Sequence, residues 1–225
     1  RSDVKGNEEG MRQLLGLIEK FDLKHHLTMS VGDSLYGSEA CRALADSSEN
    51  LVHIFRVNSK RNLYAQPDIK ALEPGRRGRK KEYGHKMSLA DPKTHIEPTT
   101  SSAQTGFMSR SGNIYNVQIE AWDNMLMKGS RTHRGSKHPM TLLRVKVTDS
   151  KGTLIFKRPL WLAACGKLRA QVSLNSIYQY YRARYDIEHF FRFGKSKLLI
   201  DAYQTADVNH EENWWRLCLL AYGQL

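Results

Sequence analysis

Four residues near the C-terminal end of the sequence have types and spacing suited to phosphodiester chemistry. They lie in Tyr181-Arg-Ala-Arg-Tyr-Asp-Ile-Glu-His-Phe-Phe-Arg-Phe-Gly-Lys195, where Tyr181, Arg184, Glu188 and Lys195 follow one another at intervals of three, four and seven positions. At about 100° per residue, a helix carries all four within an arc of roughly 60°. A carboxylate held among cations stays ionised near neutrality, so Glu188 could ligate a hard divalent cation while its neighbours hold phosphate oxygens. The same spacing fits a solvated helix face laced with i,i+4 ion pairs, and geometry alone leaves both readings open.

The array Tyr-x2-Arg-x3-Glu-x6-Lys resembles the signature of DDE-type transposases of bacterial insertion sequences, a cut-and-paste branch with a ribonuclease H-like core, and it matches at all four positions. The resemblance implies that Glu188 is the last of three metal-binding acids, and that Tyr181, Arg184 and Lys195 hold DNA phosphates at the cleavage site. Val31-Gly-Asp-Ser-Leu-Tyr-Gly37 is similar to the family's second-acid motif, an Asp ending a core strand with a Tyr three residues on. That makes Asp33 the implied second ligand, although an Asp after a strand is by itself as readily a helix N-cap.

The resemblance further implies two Mg²⁺ ions, with Mn²⁺ as a substitute, held by carboxylate oxygens of Asp33, Glu188 and one more Asp. The implied reaction is nicking of double-stranded DNA at a transposon end by water, followed by attack of the freed 3′-hydroxyl on target DNA. The implied partners are transposon-end and target DNA, and a second copy of the chain in a synaptic complex; the implied location is the bacterial cytoplasm, with the nucleoid. In that family the first acid sits on the first core strand, two strands before the helix that precedes the second acid. Residues 1–32 offer one helix and one strand, and Asp3 lies in a polar leader. The expectation is therefore that the first core strands and the first Asp lie upstream of Arg1, and that the fragment alone is inactive. Two other readings stand beside this one: a non-catalytic DNA-binding remnant, and a metal-dependent nuclease without strand transfer.

Several other residues are candidates for DNA contact. Trp161 lies 27 residues before Glu188, at a position similar to that of an insertion-domain Trp that stacks on a flipped base in related transposases. Within a strand such a Trp is more commonly core, and Trp122 is a weaker alternative. Arg56 ends a strand-like run and could face DNA near Asp33. Arg76, Arg77, Arg79, Lys80 and Lys81 cluster between glycines and could grip the phosphate backbone, or form a solvated loop.

The elements that must position these residues read as α/β. Asn7 to Leu23 has apolar residues at helical spacing, and Leu27 to Val31 reads as a short strand that delivers Asp33. Ser38 to Leu44 reads as helix and Leu51 to Val57 as strand, so helix and strand alternate. From Pro74 an exposed basic loop and a polar stretch are expected, followed by strands over Tyr115 to Ala121, Met140 to Thr148 and Leu154 to Ala163, with a hairpin turn at Asp149-Ser150-Lys151-Gly152. Helices are expected over Leu174 to Leu198 and Glu211 to Tyr222. The expected organisation is a ribonuclease H-like mixed sheet flanked by helices and interrupted by a β-rich insertion: partial core over 1–73, insertion over 74–165, and C-terminal core helices with Glu188 over 166–225.

Composition agrees with a polyanionic partner. The chain has 225 residues, and 35 Lys and Arg against 23 Asp and Glu leave a net charge of +12. No apolar run approaches the roughly 18 residues needed to cross a bilayer. Cys41, Cys165 and Cys218 show no metal-binding or disulfide spacing, as suits a reducing compartment.

Overall fold

Alternating side chains in the central strands point to opposite sides of one sheet, and both sides are covered. In β2 (Leu51–Arg56), Leu51 and Phe55 join one buried cluster while Val52 and Ile54 join another. In β8 (Leu160–Cys165), Trp161, Ala163 and Cys165 face the first cluster and Leu162 and Ala164 the second. A strand buried on both faces reads as a continuous apolar run, which is how Leu51-Val-His-Ile-Phe55 reads.

The computed structural model describes residues 6–68, 81–108, 112–129, 134–203 and 205–224. The chain divides into two compact units, Arg1–Tyr181 and Arg182–Leu225. In the first, six strands form one mixed sheet in the order β1-β2-β8-β7-β6-β5, with β1 (Thr28–Gly32), β5 (Thr100–Met108), β6 (Ile114–Met125) and β7 (Met140–Asp149). Strand β1 pairs with β2 in parallel; every other pairing in this sheet is antiparallel. Strands β3 (Asn62–Tyr64) and β4 (Lys86–Ser88) form a separate antiparallel pair.

Helices α1 (Gly6–Lys20) and α2 (Glu39–Ser47) cover one face, placing Met11, Ile18, Cys41 and Ala45 against Leu51, Phe55 and Trp161. Ser38 caps α2, its Oγ accepting from the Cys41 N–H at 3.3 Å. The opposite face takes Ile177, Tyr178 and Tyr181 from the first turns of α3 (Leu174–Lys197).

In the second unit, the end of α3 and helix α4 (Val208–Gly223) are linked by aromatic contacts. The ring centroids of Phe190 and Phe193 lie 4.8 and 5.7 Å from that of Tyr222, and Trp214 Nε1 donates to the Leu199 carbonyl at 3.3 Å. Among the described residues no helix is long and apolar enough to cross a membrane.

Two sequence expectations differ from the structure. The polar stretch after Pro74 carries β4 and the long edge strand β5, whose Thr-Ser-Ser-Ala-Gln sequence lacks the apolar alternation that marks a half-buried strand. The run Leu154 to Ala163 is not one strand. Leu154 bridges Thr148 just after the expected turn, which Gly152 closes at φ +82, but regular pairing resumes only at Leu160 opposite Val145. Strands on both sides of residue 74 share the sheet, β8 lying directly against β2.

Candidate active site

Asp33 follows the last residue of β1 and opens an exposed turn whose two flanking glycines are required by packing. A Cβ on Gly32 would lie 2.5 Å from the Tyr36 Cβ, and one on Gly37 would lie 2.6 Å from the Phe55 ring. Only residues without a side chain let this turn close so tightly over the sheet. Within it, Asp33 Oδ1 accepts from the Leu35 N–H at 2.8 Å, an Asx-type turn that fixes the side chain while Asp33 remains exposed.

Beneath the turn lies a residue that sequence reasoning missed. His53, in the middle of β2, is fully buried. Its Nε2 is 3.2 Å from the Tyr36 carbonyl, and its Nδ1 is 2.8 Å from Ser30 Oγ on β1. A carbonyl can only accept, so Nε2 carries the proton and Nδ1 accepts from the Ser30 hydroxyl. Burial depresses the His53 pKa from its ordinary 6.5 to about 4, and the ring stays neutral while it ties β1, β2 and the Asp33 turn together. The signal was a lone histidine inside an otherwise apolar strand.

Arg56, the last residue of β2, is exposed. Since Gly32 pairs with Phe55, Asp33 and Arg56 leave the sheet from adjacent strand ends. Trp161 is only 2% exposed. Its ring packs against Trp122 at 5.7 Å and edge-on to His95 at 5.5 Å, and the Arg144 guanidinium lies 5.8 Å away. The surface expected to stack on a base is therefore occupied by protein, and Trp122 is equally buried, with its Nε1 donating to the Ile96 carbonyl at 2.7 Å. Arg144 also forms a tight ion pair with Glu120, which holds that carboxyl below its ordinary range.

Tyr181 is 9% exposed and belongs to the buried cluster of the first unit, so the side chain expected on a DNA-facing surface serves the core. In the second unit, Arg184 Nη1 meets Glu188 Oε1 at 2.6 Å, and the Glu188 side chain is 44% exposed. This is the i,i+4 pairing that the spacing allows, and it orients the acid. Lys195 instead pairs with Asp201 at 3.5 Å. Lys81 is exposed; Arg76, Arg77, Arg79 and Lys80 lie outside the described residues.

Comparison with known families decides what this arrangement belongs to. The model of the transposase DDE domain matches residues 3–223, nearly the whole chain. The chain belongs to the transposase DDE domain family. Comparison with curated proteins gives no match. The mixed sheet flanked by helices is consistent with the ribonuclease H-like fold of such transposases. Membership places this transposase domain in a class of nucleic-acid-cleaving enzymes that generally use divalent metal ions.

The donor chemistry of the transposase domain fits such ions. Asp33 and Glu188 both present exposed carboxylate oxygens, the ligand type that Mg²⁺ and Mn²⁺ prefer, and Asp33 Oδ1 is held in place by a backbone N–H. Among the described residues no three His, Cys, Asp or Glu side chains are gathered as a metal-holding group.

Proposed function

We propose that the chain is the catalytic domain of a transposase of the Tyr-Arg-Glu-Lys branch, cutting DNA at the ends of its element and joining them to target DNA. The observation that carries this reading is Asp33: an exposed carboxylate at the carboxyl end of a core strand, on a turn clamped by two glycines and a buried histidine, in a chain matched to the family over nearly its full length. Ligands of α/β sheets gather at the carboxyl ends of strands.

Asp33 and Glu188 each act as a metal-binding acid. Bound Mg²⁺ would supply Lewis acidity and lower the pKa of a water nucleophile. In the first step water attacks the phosphorus and the 3′-oxygen leaves; in the second, the 3′-hydroxyl attacks a target phosphorus and displaces a 3′-oxygen there. Arg184 holds the Glu188 carboxylate in one orientation. Arg56, Lys195 and Lys81 neutralise phosphate charge along the bound DNA. The two copies of the chain that a pair of element ends requires form a dimer on the DNA.

The test uses the full-length protein, including any sequence upstream of Arg1, with Mg²⁺ and a duplex bearing the end of its own element. Nicking and joining to a target plasmid are expected, with Asp33→Asn and Glu188→Gln each losing both while DNA binding and thermal stability stay near those of the wild type. Normal cleavage by either variant removes that residue from the reaction. Cleavage without joined products identifies a nuclease, and duplex binding with no cleavage by the wild type identifies a DNA-binding module.

A further inference from the structure

The connection between β7 and β8 extrudes a run of exposed residues. Leu154 bridges Thr148, and the Ile155 N–H donates to the Val147 carbonyl at 2.9 Å; the next regular pair is Leu160 with Val145. From one pairing point to the next, β7 advances from 148 to 145 while the returning chain advances from 154 to 160, so three extra residues are pushed out as a wide bulge. Residues 151–159 are all exposed, and they include Ile155 at 40% and Phe156 at 60% beside Lys151, Lys157 and Arg158. An apolar tip framed by cations is costly to leave in water and matches a surface that offers both phosphates and apolar base faces.

The bulge also has a definite place in the fold. Strand β2 runs parallel to β1, and β8 runs antiparallel to β2, so the start of β8 lies at the same sheet end as the carboxyl ends of β1 and β2. Arg56 pairs with Leu162, and the Val57 N–H donates to the Trp161 carbonyl at 2.9 Å. The bulge therefore leaves the sheet at the end that carries Asp33 and Arg56, two strand spacings from β1, or roughly 10 Å across the sheet.

We infer that the Ile155–Pro159 bulge is a duplex-DNA contact beside the Asp33 end of the sheet, with Lys157 and Arg158 on phosphates and Phe156 making apolar contact with the bases or sugars between them. This inference rests on the reading of the chain as a DNA-acting transposase, and it moves the exposed aromatic contact from the buried Trp161 to Phe156.

Binding of the protein to a duplex by fluorescence anisotropy, over a series of salt concentrations, tests it. The Lys157→Ala/Arg158→Ala double variant is expected to weaken binding and to reduce the slope of log K against log salt by about 2, close to 0.9 per phosphate contact. Phe156→Ala is expected to weaken binding about fivefold or more with the salt slope unchanged, in line with loss of an aromatic contact to a base. Lys20→Ala/Lys24→Ala removes equal charge near the amino end of β1, at the opposite sheet end, and is expected to change the slope little. All these side chains are exposed, so melting temperatures should match the wild type.

If Phe156→Ala and the Lys157/Arg158 variant bind as the wild type does, the bulge is not a DNA contact, although the transposase reading stands. If both charge pairs lower the slope equally, net charge alone accounts for binding and the inference fails. If the wild type binds no duplex, the underlying DNA reading fails with it.

Discussion

The two proposed acids are held by different kinds of structure. Asp33 sits on a turn whose shape depends on packing among β1, β2 and the turn itself: Tyr36 against Gly32, Phe55 against Gly37, and His53 bridging β1, β2 and the Tyr36 carbonyl. Glu188 sits on a helix, where the i,i+4 ion pair to Arg184 is fixed by the helical repeat itself. One acid is positioned by tertiary structure that must be assembled; the other is positioned by local geometry. Mutations around Asp33 should therefore couple activity to stability, and mutations around Glu188 should not.

The largest expected expression of this difference is a pH effect. His53 has a pKa of about 4 in the folded chain against 6.5 when exposed, because burial disfavours its cation. Between those values the unfolded chain takes up a proton that the folded chain does not, so stability rises with pH across that interval. The contribution is fully present above about pH 6.5 and is lost as pH falls towards 4, amounting to about 3 kcal/mol at the lower end. His53→Gln cannot titrate. It should be less stable than the wild type near neutrality, by about 1 to 3 kcal/mol for imperfectly replaced hydrogen bonds, and the gap should narrow as pH falls from 6.5 to 4. Urea denaturation at successive pH values checks this; parallel curves for the two proteins would mean that His53 is not the buried neutral clamp described.

The next effect is steric. Gly32→Ala and Gly37→Ala place a Cβ 2.5 Å from Tyr36 and 2.6 Å from the Phe55 ring, closer than side chains tolerate, and Phe55 has no room to retreat at 1% exposure. Overpacking of this kind costs about 1 to 3 kcal/mol. Because the strain falls on the turn that aims Asp33, nicking should drop further than stability alone predicts; a displacement of about 1 Å at a reacting group can cost about a hundredfold in rate. Retention of full nicking by a Gly32→Ala protein with a lowered melting temperature would show that the turn's shape does not govern the site.

The same contrast explains what could be read from the sequence. Helix α3 with its Arg184 and Glu188 pair, and strands β1, β2 and β7, announce themselves through short-range periodicity, and their observed limits fall close to those the pattern predicts. The Asp33 turn is visible as a glycine-bounded motif. Its clamp is not, because the partners of His53 are Ser30 and Tyr36, 23 and 17 residues away, and nothing local marks them. Strand β5 escapes notice because an edge strand of Thr, Ser and Gln lacks a buried stripe. Trp161 misleads for the opposite reason: its place in the sequence suggests a recognition role, but strand alternation turns it inward onto Trp122. The apolar residues of the β7 to β8 bulge read as strand until the pairing register shows them extruded.

The smallest effect lies at the helix. Arg184→Ala removes the 2.6 Å ion pair to Glu188, but an i,i+4 pair with Glu188 this exposed contributes only about 0.3 to 0.5 kcal/mol. Alanine is also the better helix former, offsetting part of that loss. Loss of that ion pair by itself should shift the melting temperature of Arg184→Ala by no more than a degree or two, about the shift that such an energy produces in a domain of this size. On the proposed reading nicking should fall much more, because a released Glu188 carboxylate samples rotamers in which its oxygens are no longer held for the metal. Arg184→Lys keeps the charge without the planar fork and should recover only part of the rate. A large fall in melting temperature for Arg184→Ala would place Arg184 in the same class as His53, a residue holding tertiary structure, and would erase the distinction between the two acids.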